Sequence, residues 1–253
     1  MFTIEKNVLF EYNGSSESVR IPDGVTTIGR SAFDGKDFIN EIYIPDSVIR
    51  IDNYAFFGCS SLKDIRLSEN LKIIDRAAFA SCKSLKSIAL PGSLEVIGWQ
   101  SFSCCTGLSE IELPPSLKEI RFSAFEDCKS LKSVVIHDGI KLFPAGIFSH
   151  CSSLECVRLP NGITKLGSYF FWKCDSLSEI VIPESVRAIG PFAFLNCQNL
   201  KKVILPKEIE SIDSAAFFGC PLLEDINVPD HIENRADIFS LMKSTDTPPD
   251  LFY

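Results

Sequence analysis

Apolar residues recur along this chain with a fixed step of 23 residues, the mark of a stacked repeat and not of an ordinary globular core. Phe33, Phe56, Phe79, Phe102, Phe125, Phe148, Phe171, Phe194 and Phe217 fall in one register, and Cys59, Cys82, Cys105, Cys128, Cys151, Cys174, Cys197 and Cys220 fall in another. Units begin at Val19, Ile42, Ile65, Ile88, Ile111, Val134, Val157, Ile180 and Val203, with a fragment from Ile226. Within a unit such as Leu177, Ile180, Ile182, the last two apolar positions lie two apart, which predicts a short strand with one face buried. Pro follows in most units (Pro22, Pro45, Pro91, Pro114, Pro160, Pro183, Pro206, Pro229). Lacking an N–H, it ends the strand and opens a turn. Val-x-x-Ile then predicts a second extended piece, and Ala-Phe-x-x-Cys-x-x-Leu, with apolar groups three apart, a 3₁₀ or helical turn.

A unit this short has no core of its own, so its apolar columns leave water only by stacking on the same columns of its neighbours. The expected architecture is a right-handed solenoid spanning residues 19–232, with nine full units and a partial one. A parallel sheet forms its concave side, and short strands and tight turns form the convex side. At about 4.8 Å per strand, ten rungs span roughly 48 Å. Residues 1–18 hold two extended runs, Phe2–Ile4 and Val8–Tyr12, that predict a hairpin cap, with Asn13–Ser16 as a turn. Residues 233–253 leave the repeat, as an amphipathic cap helix (Ile238, Phe239, Leu241, Met242) followed by a polar, Pro-containing tail expected to be flexible.

The unit, written I-x-[IL]-P-x-[SG]-[VLI]-x-x-I-x-x-x-A-F-x-x-C-x-x-L-x-x and carried by Ile180, Ile182, Pro183, Ser185, Val186, Ile189, Ala193, Phe194, Cys197 and Leu200, resembles the BspA-like, or treponemal-type, leucine-rich repeat. The resemblance implies a leucine-rich repeat solenoid. It also implies the roles seen in that family, surface antigens, adhesins and intracellular repeat proteins that bind other macromolecules. It brings no catalytic residues.

Composition narrows the function. Lys and Arg number 25 against 33 Asp and Glu, a net charge of −8. This disfavours nucleic acid, whose affinity needs clustered cations. No stretch approaches the apolar length of a membrane span, so no membrane insertion is expected. The first residues lack a basic segment followed by an apolar run, which predicts a cytoplasmic protein; a secreted or cell-surface location is the alternative if the chain is truncated.

Ten cysteines invite thought of metal or redox chemistry. Eight of them, however, sit in a file among Phe, Ala, Leu and Ile, where a thiol acts as a small hydrophobe. Their constant spacing offers no Cys-x-x-Cys ligand pair for zinc. Cys104 and Cys156 lie outside the file and are the candidate reactive thiols. His137, His150 and His231 occupy different columns, which argues against a nucleophile–base constellation. No enzyme activity and no cofactor are expected, an enzyme with an unrecognised pocket being a remote alternative.

What remains is surface. On the strand face, the outward column holds Arg20, Tyr43, Arg66, Ala89, Glu112, Val135, Arg158, Val181, Ile204 and Asn227. With its neighbour column it carries mixed charge and turns apolar toward the C-terminal half, a composition suited to protein contact. Aromatic residues near the Ala-Phe turn, including Tyr54, Phe57, Trp99, Phe122, Tyr169, Trp172, Phe192 and Phe218, serve either as rim anchors for protein or glycan or as cover for the turns. The candidate partner-binding residues are therefore Tyr43, Arg66, Glu112, Val135, Arg158, Val181, Ile204, Trp99 and Trp172. The repeat departs from its pattern at His137, Phe143, Pro144, Ile147 and Phe170; adjacent enlargements that accommodate one another explain this as packing, with a local functional kink as the alternative. The reading is a non-enzymatic binding or adhesion module presented to a protein, such as a host or surface protein, or to a glycan. An intracellular scaffold or regulator is the alternative.

Overall fold

The computed structural model describes residues 1–140 and 143–244. The chain winds as a parallel β-solenoid of about nine turns, most of which add one short strand to each of two ladders. Three-residue strands at 18–20, 41–43 and 64–66 pair in parallel with a register of 23, as do 133–135 with 156–158, and 179–181 with 202–204 and then 225–226. Ile180 and Ile182 are buried while Val181 between them faces out, the alternation that a pleated strand imposes. The second ladder runs 27–28, 50–51, 73–74, 96–97 and 119–120, then resumes as 165–166, 188–189 and 211–212. Between these two runs residues 141 and 142 lie outside the described residues, and the described rung continues through Phe143 to Pro144. In regular rungs the residue at this position donates its N–H to the previous rung, as Asp52 does to Ile28, Gly98 to Ile74 and Arg121 to Ile97. Pro144 has no N–H to give.

The Phe file is the spine. Consecutive rings from Phe33 to Phe217 lie 4.9 to 6.0 Å apart at their centroids and within 26° of parallel. Every member is fully buried. Offset stacking of this kind adds about 0.5–1.5 kcal/mol per pair beyond the area buried.

The Ala-Phe segment departs from the expected 3₁₀ geometry. Two residues per rung take positive φ of 50 to 69°: the column Ser31, Tyr54, Ala77, Gln100, Ser123, Gly146, Tyr169, Phe192, and the column Gly35, Gly58, Ser81, Cys104, Asp127, His150, Lys173, Asn196, Gly219. For residues other than glycine this costs about 1–2 kcal/mol each. The hydrogen bonds supply the reason. The N–H groups of Ser31, Phe33 and Gly35 donate to the next rung at Asn53, Ala55 and Phe57, while those of Ala32, Asp34 and Lys36 close turns onto Gly29, Ser31 and Phe33. Alternating inter-rung and local bonds require the left-handed residues, and they leave no run for a 3₁₀ helix.

At the N-terminus, β1 (Phe2–Glu5) and β2 (Val8–Tyr12) form an antiparallel hairpin whose second strand joins the second ladder at Thr27–Ile28. A β-bulge leaves Phe10 without a partner. One residue is thereby skipped, so Leu9 and Tyr12 both face inward while Phe10 stays half exposed. Tyr12 then extends the aromatic stack, 5.2 Å from Phe33, with Phe2 beyond it. Asn13–Ser16 is not the hydrogen-bonded turn expected from its composition. The phenol oxygen of Tyr12 accepts from the Ser16 N–H instead, which holds the connection irregular. At the other end α1 (Arg235–Met242) buries Ile238 and Met242 against the last rung. The Leu241 carbonyl there accepts from the Gly219 N–H. Of the polar tail expected after this helix, residues 245–253 lie outside the described residues.

Candidate functional site

The cysteine file is built into the core. Each thiol donates to a Phe carbonyl 26 residues earlier, from Cys59 to Phe33 (3.2 Å) through Cys128 to Phe102 (3.2 Å) to Cys220 to Phe194 (3.0 Å). Burial pushes the thiols from Cys59 to Cys197 up, to about 12 for Cys59 and Cys105, so these hold the protons they donate. Nucleophilic and metal chemistry need the thiolate, which this environment opposes. Cys156 is exposed and Cys104 half buried. His231 bonds the Ile209 carbonyl through Nε2. His150 sits edge-on to Trp172, 4.3 Å between centroids, and burial holds its pKa low despite Asp127 at 4.0 Å. Among the described residues no group of three or more His, Cys, Asp and Glu is placed to hold a metal, and no helix is long and apolar enough to cross a membrane.

Two surfaces stand out. On the strand face, Val181 is 61% exposed and Val135 and Ile204 45% each. Val135 pairs with Arg158 and Val181 with Ile204 across neighbouring strands, so these side chains form one strip. Lys202 and Asp225 bridge beside it at 2.8 Å. Near the N-terminal end of the same face, Tyr43 is clasped by Arg20 at 3.7 Å and Arg66 at 4.6 Å from its ring centre. Arg66 also reaches Asp46 at 3.6 Å. Glu112 is exposed and lies one rung before Val135 in the same outward column, on the rung that bridges Glu110 to Ser133.

On the turn face, the structure corrects the expectation for Trp172. It is 7% exposed and packs with Leu195 and Phe218 on the next rungs, covered by Tyr169, Phe192 and Leu241. An apolar file on successive rungs shields itself, so Trp172 and Phe218 serve as cover. Trp99 and Phe122 remain about half exposed. Beside this file lies a pocket of about 510 Å³ lined by Gln100, Phe122, Ser123, Glu126, Ala145, Gly146, Ser149, Ser168, Tyr169 and Trp172. Its floor is low because the turn residues shrink to Ser123, Ala145, Gly146, Ser149 and Ser168 between bulky neighbours. Ser149 is fixed by donating to the Tyr169 carbonyl at 2.7 Å. Burial raises the pKa of Glu126, while hydrogen bonds from Ser123 and Gln100 pull it back. The pocket occupies the stretch where the repeat pattern breaks. Its polar members were invisible to column-by-column reading of apolar positions, although the drop in side-chain size at 145, 146 and 168 stands in the sequence.

A family model for the BspA type leucine rich repeat region matches residues 3–132 and 118–243. Among solved structures, a leucine-rich repeat protein of T. pallidum is 34% identical, over 70% of this chain and 87% of that one, with a TM-score of 0.65. One from Bacteroides ovatus is 27% identical, over 88% and 68%, with a TM-score of 0.68. The pneumococcal vaccine antigen PcpA, 23% identical over 91% and 68% with a TM-score of 0.64, shares the fold. No curated protein sequence matches the chain. The 23-residue unit, the stacked Phe and Cys files and the family match agree: this chain belongs to the BspA-type leucine-rich repeat family.

Proposed function

We propose that the chain is a non-enzymatic module that binds another protein along its strand face, through the strip formed by Val135, Arg158, Val181 and Ile204. The observation that carries this reading is the exposure of three aliphatic side chains at the same outward position of the 23-residue unit, on two hydrogen-bonded parallel ladders. Such a sheet is held rigid by the rungs behind it, so a partner pays little ordering entropy to use it. Apolar groups beside one Arg and flanked by paired charges match the composition of an interface centre and its rim. Mixed charge and a net of −8 favour protein over nucleic acid as partner.

The test is recovery of partners from the source organism's extract on immobilised protein, comparing the wild type with Val181→Glu/Ile204→Glu. Both positions point to solvent, so the variant keeps its fold, checked by circular dichroism. Loss of specific partners is expected; unchanged recovery refutes the strand face as the site. The proposal extends to a cytoplasmic location, supported by an exposed Cys156 that a reducing compartment keeps as a thiol. Surface labelling of intact cells that modifies the protein would overturn that part alone.

A further inference from the structure

A third surface is charged. An open groove of about 990 Å³ runs along the segments that lead into the strands, shaped by three positions of the 23-residue unit. Lys63, Lys86, Ser109 and Lys132 share one position and form a rim. Ser84, Gly107, Ser130 and Ser153, two residues before that position in their units, form the floor, and Lys83 stands on the far side. The four lysines are exposed and the floor residues half buried. From Lys63 to Lys132 the rim crosses three rungs, about 14 Å.

Two features set this groove apart from scattered surface charge. Cations and acids are segregated on a chain whose net charge is −8. Along the Lys63 position no acid occurs between Asn40 and Glu155, and along the Lys83 position none occurs between Asp37 and Asp175. Asp64 is the one acid among the described lining residues. The polar groups are also unpaired. Among the described residues Lys63, Lys83, Lys86 and Lys132 have no carboxylate within 4.0 Å, whereas Lys72, Lys118, Lys129 and Lys202 each have one. Ser109 donates to the Lys86 carbonyl at 3.2 Å, but the hydroxyls of Ser84, Ser87, Ser130 and Ser153 have no hydrogen-bond partner among the described residues.

We infer that this groove binds a linear polyphosphate chain. Its described lining holds no aromatic ring on which a base could stack, no arginine to fork onto a single anion, and no aliphatic side chain to anchor a polypeptide. It offers ammonium groups repeated along a line, with hydroxyl donors beneath them. A lysine ammonium is a compact point charge with rotatable donors, suited to phosphoryl oxygens from several directions, and a serine hydroxyl donates to the same oxygens. A ligand charged on every unit, with no base, sugar ring or side chain, uses all of these groups and needs nothing that the lining lacks. A sulfated polysaccharide separates its charges by sugar rings, for which no aromatic platform stands here. The groove uses other positions of the unit than the protein-binding strip, and the two stand or fall independently.

The test measures binding of a linear polyphosphate to the full chain by titration calorimetry at several salt concentrations. Orthophosphate, a single-stranded oligonucleotide, polyglutamate and heparin are compared at equal total charge. Polyphosphate is expected to bind at least about tenfold more tightly than each of them. The slope of log affinity against log salt is expected near about −3, from four lysines at about 0.7 each, as for a single-stranded polyanion. Lys86→Ala/Lys132→Ala is expected to weaken binding about tenfold and to bring the slope to about −1.4. Asp64→Asn should tighten binding. Lys165→Ala/Lys207→Ala removes the same charge at exposed positions outside the groove and should leave it unchanged. Equal or tighter binding of any competing anion, equal weakening by the two lysine pairs, or no polyphosphate binding at low salt overturns the inference. The comparison of ligands is made on the wild-type chain, so it decides the matter even where a substitution disturbs folding.

Discussion

Truncating Phe125 to Ala tests the claim that the ring stack holds the solenoid together. Phe125 lies between Phe102 and Phe148, at 5.5 and 5.8 Å and nearly parallel to both, and is fully buried. Removing a core Phe costs about 3–5 kcal/mol. The upper end applies here, because rungs held by inter-rung hydrogen bonds from Phe102 to Ala124 and from Phe125 to Ile147 cannot collapse into the space. At roughly 2–4 °C per kcal/mol for a chain of this size, the melting temperature falls by about 8–20 °C. Phe217, with a ring neighbour on one side at 5.0 Å, loses less, nearer about 3 kcal/mol. A weakened middle rung also uncouples the array, since stability in a solenoid passes only between neighbours. Trp99 and Trp172 lie on opposite sides of Phe125 along the chain, so fluorescence of Trp99→Phe and Trp172→Phe variants in urea reports each half. The two midpoints are expected to coincide without the Phe125→Ala change and to separate with it. A loss below about 1.5 kcal/mol, with coincident midpoints, would refute the role given to the stack.

Three further outcomes are expected. Maleimide labelling of the native protein, read by intact mass, modifies Cys156 first and Cys104 more slowly, and the eight file thiols only after denaturation; early labelling of a file cysteine would contradict their burial. Asp75 is nearly buried and faces Arg50; burial raises its pKa and Arg50 counters that rise. A carboxyl whose folded pKa is raised contributes stability below its unfolded value of 3.8 and loses it as pH climbs through the folded value. Arg50→Ala should therefore cost about 1–3 kcal/mol near neutral pH and less near pH 4, and an equal loss at both, by urea titration, would count against the pairing. Finally, a Cβ at Gly14 would lie 2.5 Å from the Tyr12 phenol oxygen, and Tyr12 is locked in the stack, so Gly14→Ala should speed hydrogen exchange across β1 and β2; unaltered protection would show that the cap yields.

The core was almost wholly legible because a 23-residue step repeats the same burial demand at each rung: Phe, Cys, Leu and Ile columns predicted from spacing are the buried columns. Spacing failed where chemistry other than apolarity sets the geometry. One step before Phe33 lies Phe10, yet the bulge hands its place to Tyr12. The left-handed positions were illegible because Ser, Tyr, Gln and Phe carry no preference for positive φ; the alternating hydrogen bonds impose it. Trp172 looked like an outward anchor when its own unit was considered, and only the Leu195 and Phe218 of later rungs enclose it. Pro144 was legible as an irregularity, but its effect, one N–H fewer to donate between rungs, depends on which carbonyl that N–H would have served.

The cysteine file shows why function in this chain has to be sought where the repeat is broken. A column filled eight times by one reactive residue type invites a chemical role, yet each sulfur lies within 3.0 to 3.3 Å of a Phe carbonyl as a donor. Alanine would fill the slot and lose the donor. Serine would donate but bring a more strongly hydrated hydroxyl into an apolar file. Cysteine does both because its sulfur is large, soft and weakly polar. The burial that makes the file useful to the core keeps the thiols from Cys59 to Cys197 protonated, and so removes the chemistry that their number suggests. Identical rungs can only repeat a structural solution. A site that binds something selectively needs neighbours that differ, as Ala145 and Gly146 differ from the bulkier Phe122 and Tyr169 on either side, and as Val181 and Ile204 differ from Arg20 and Arg66 at the same outward position.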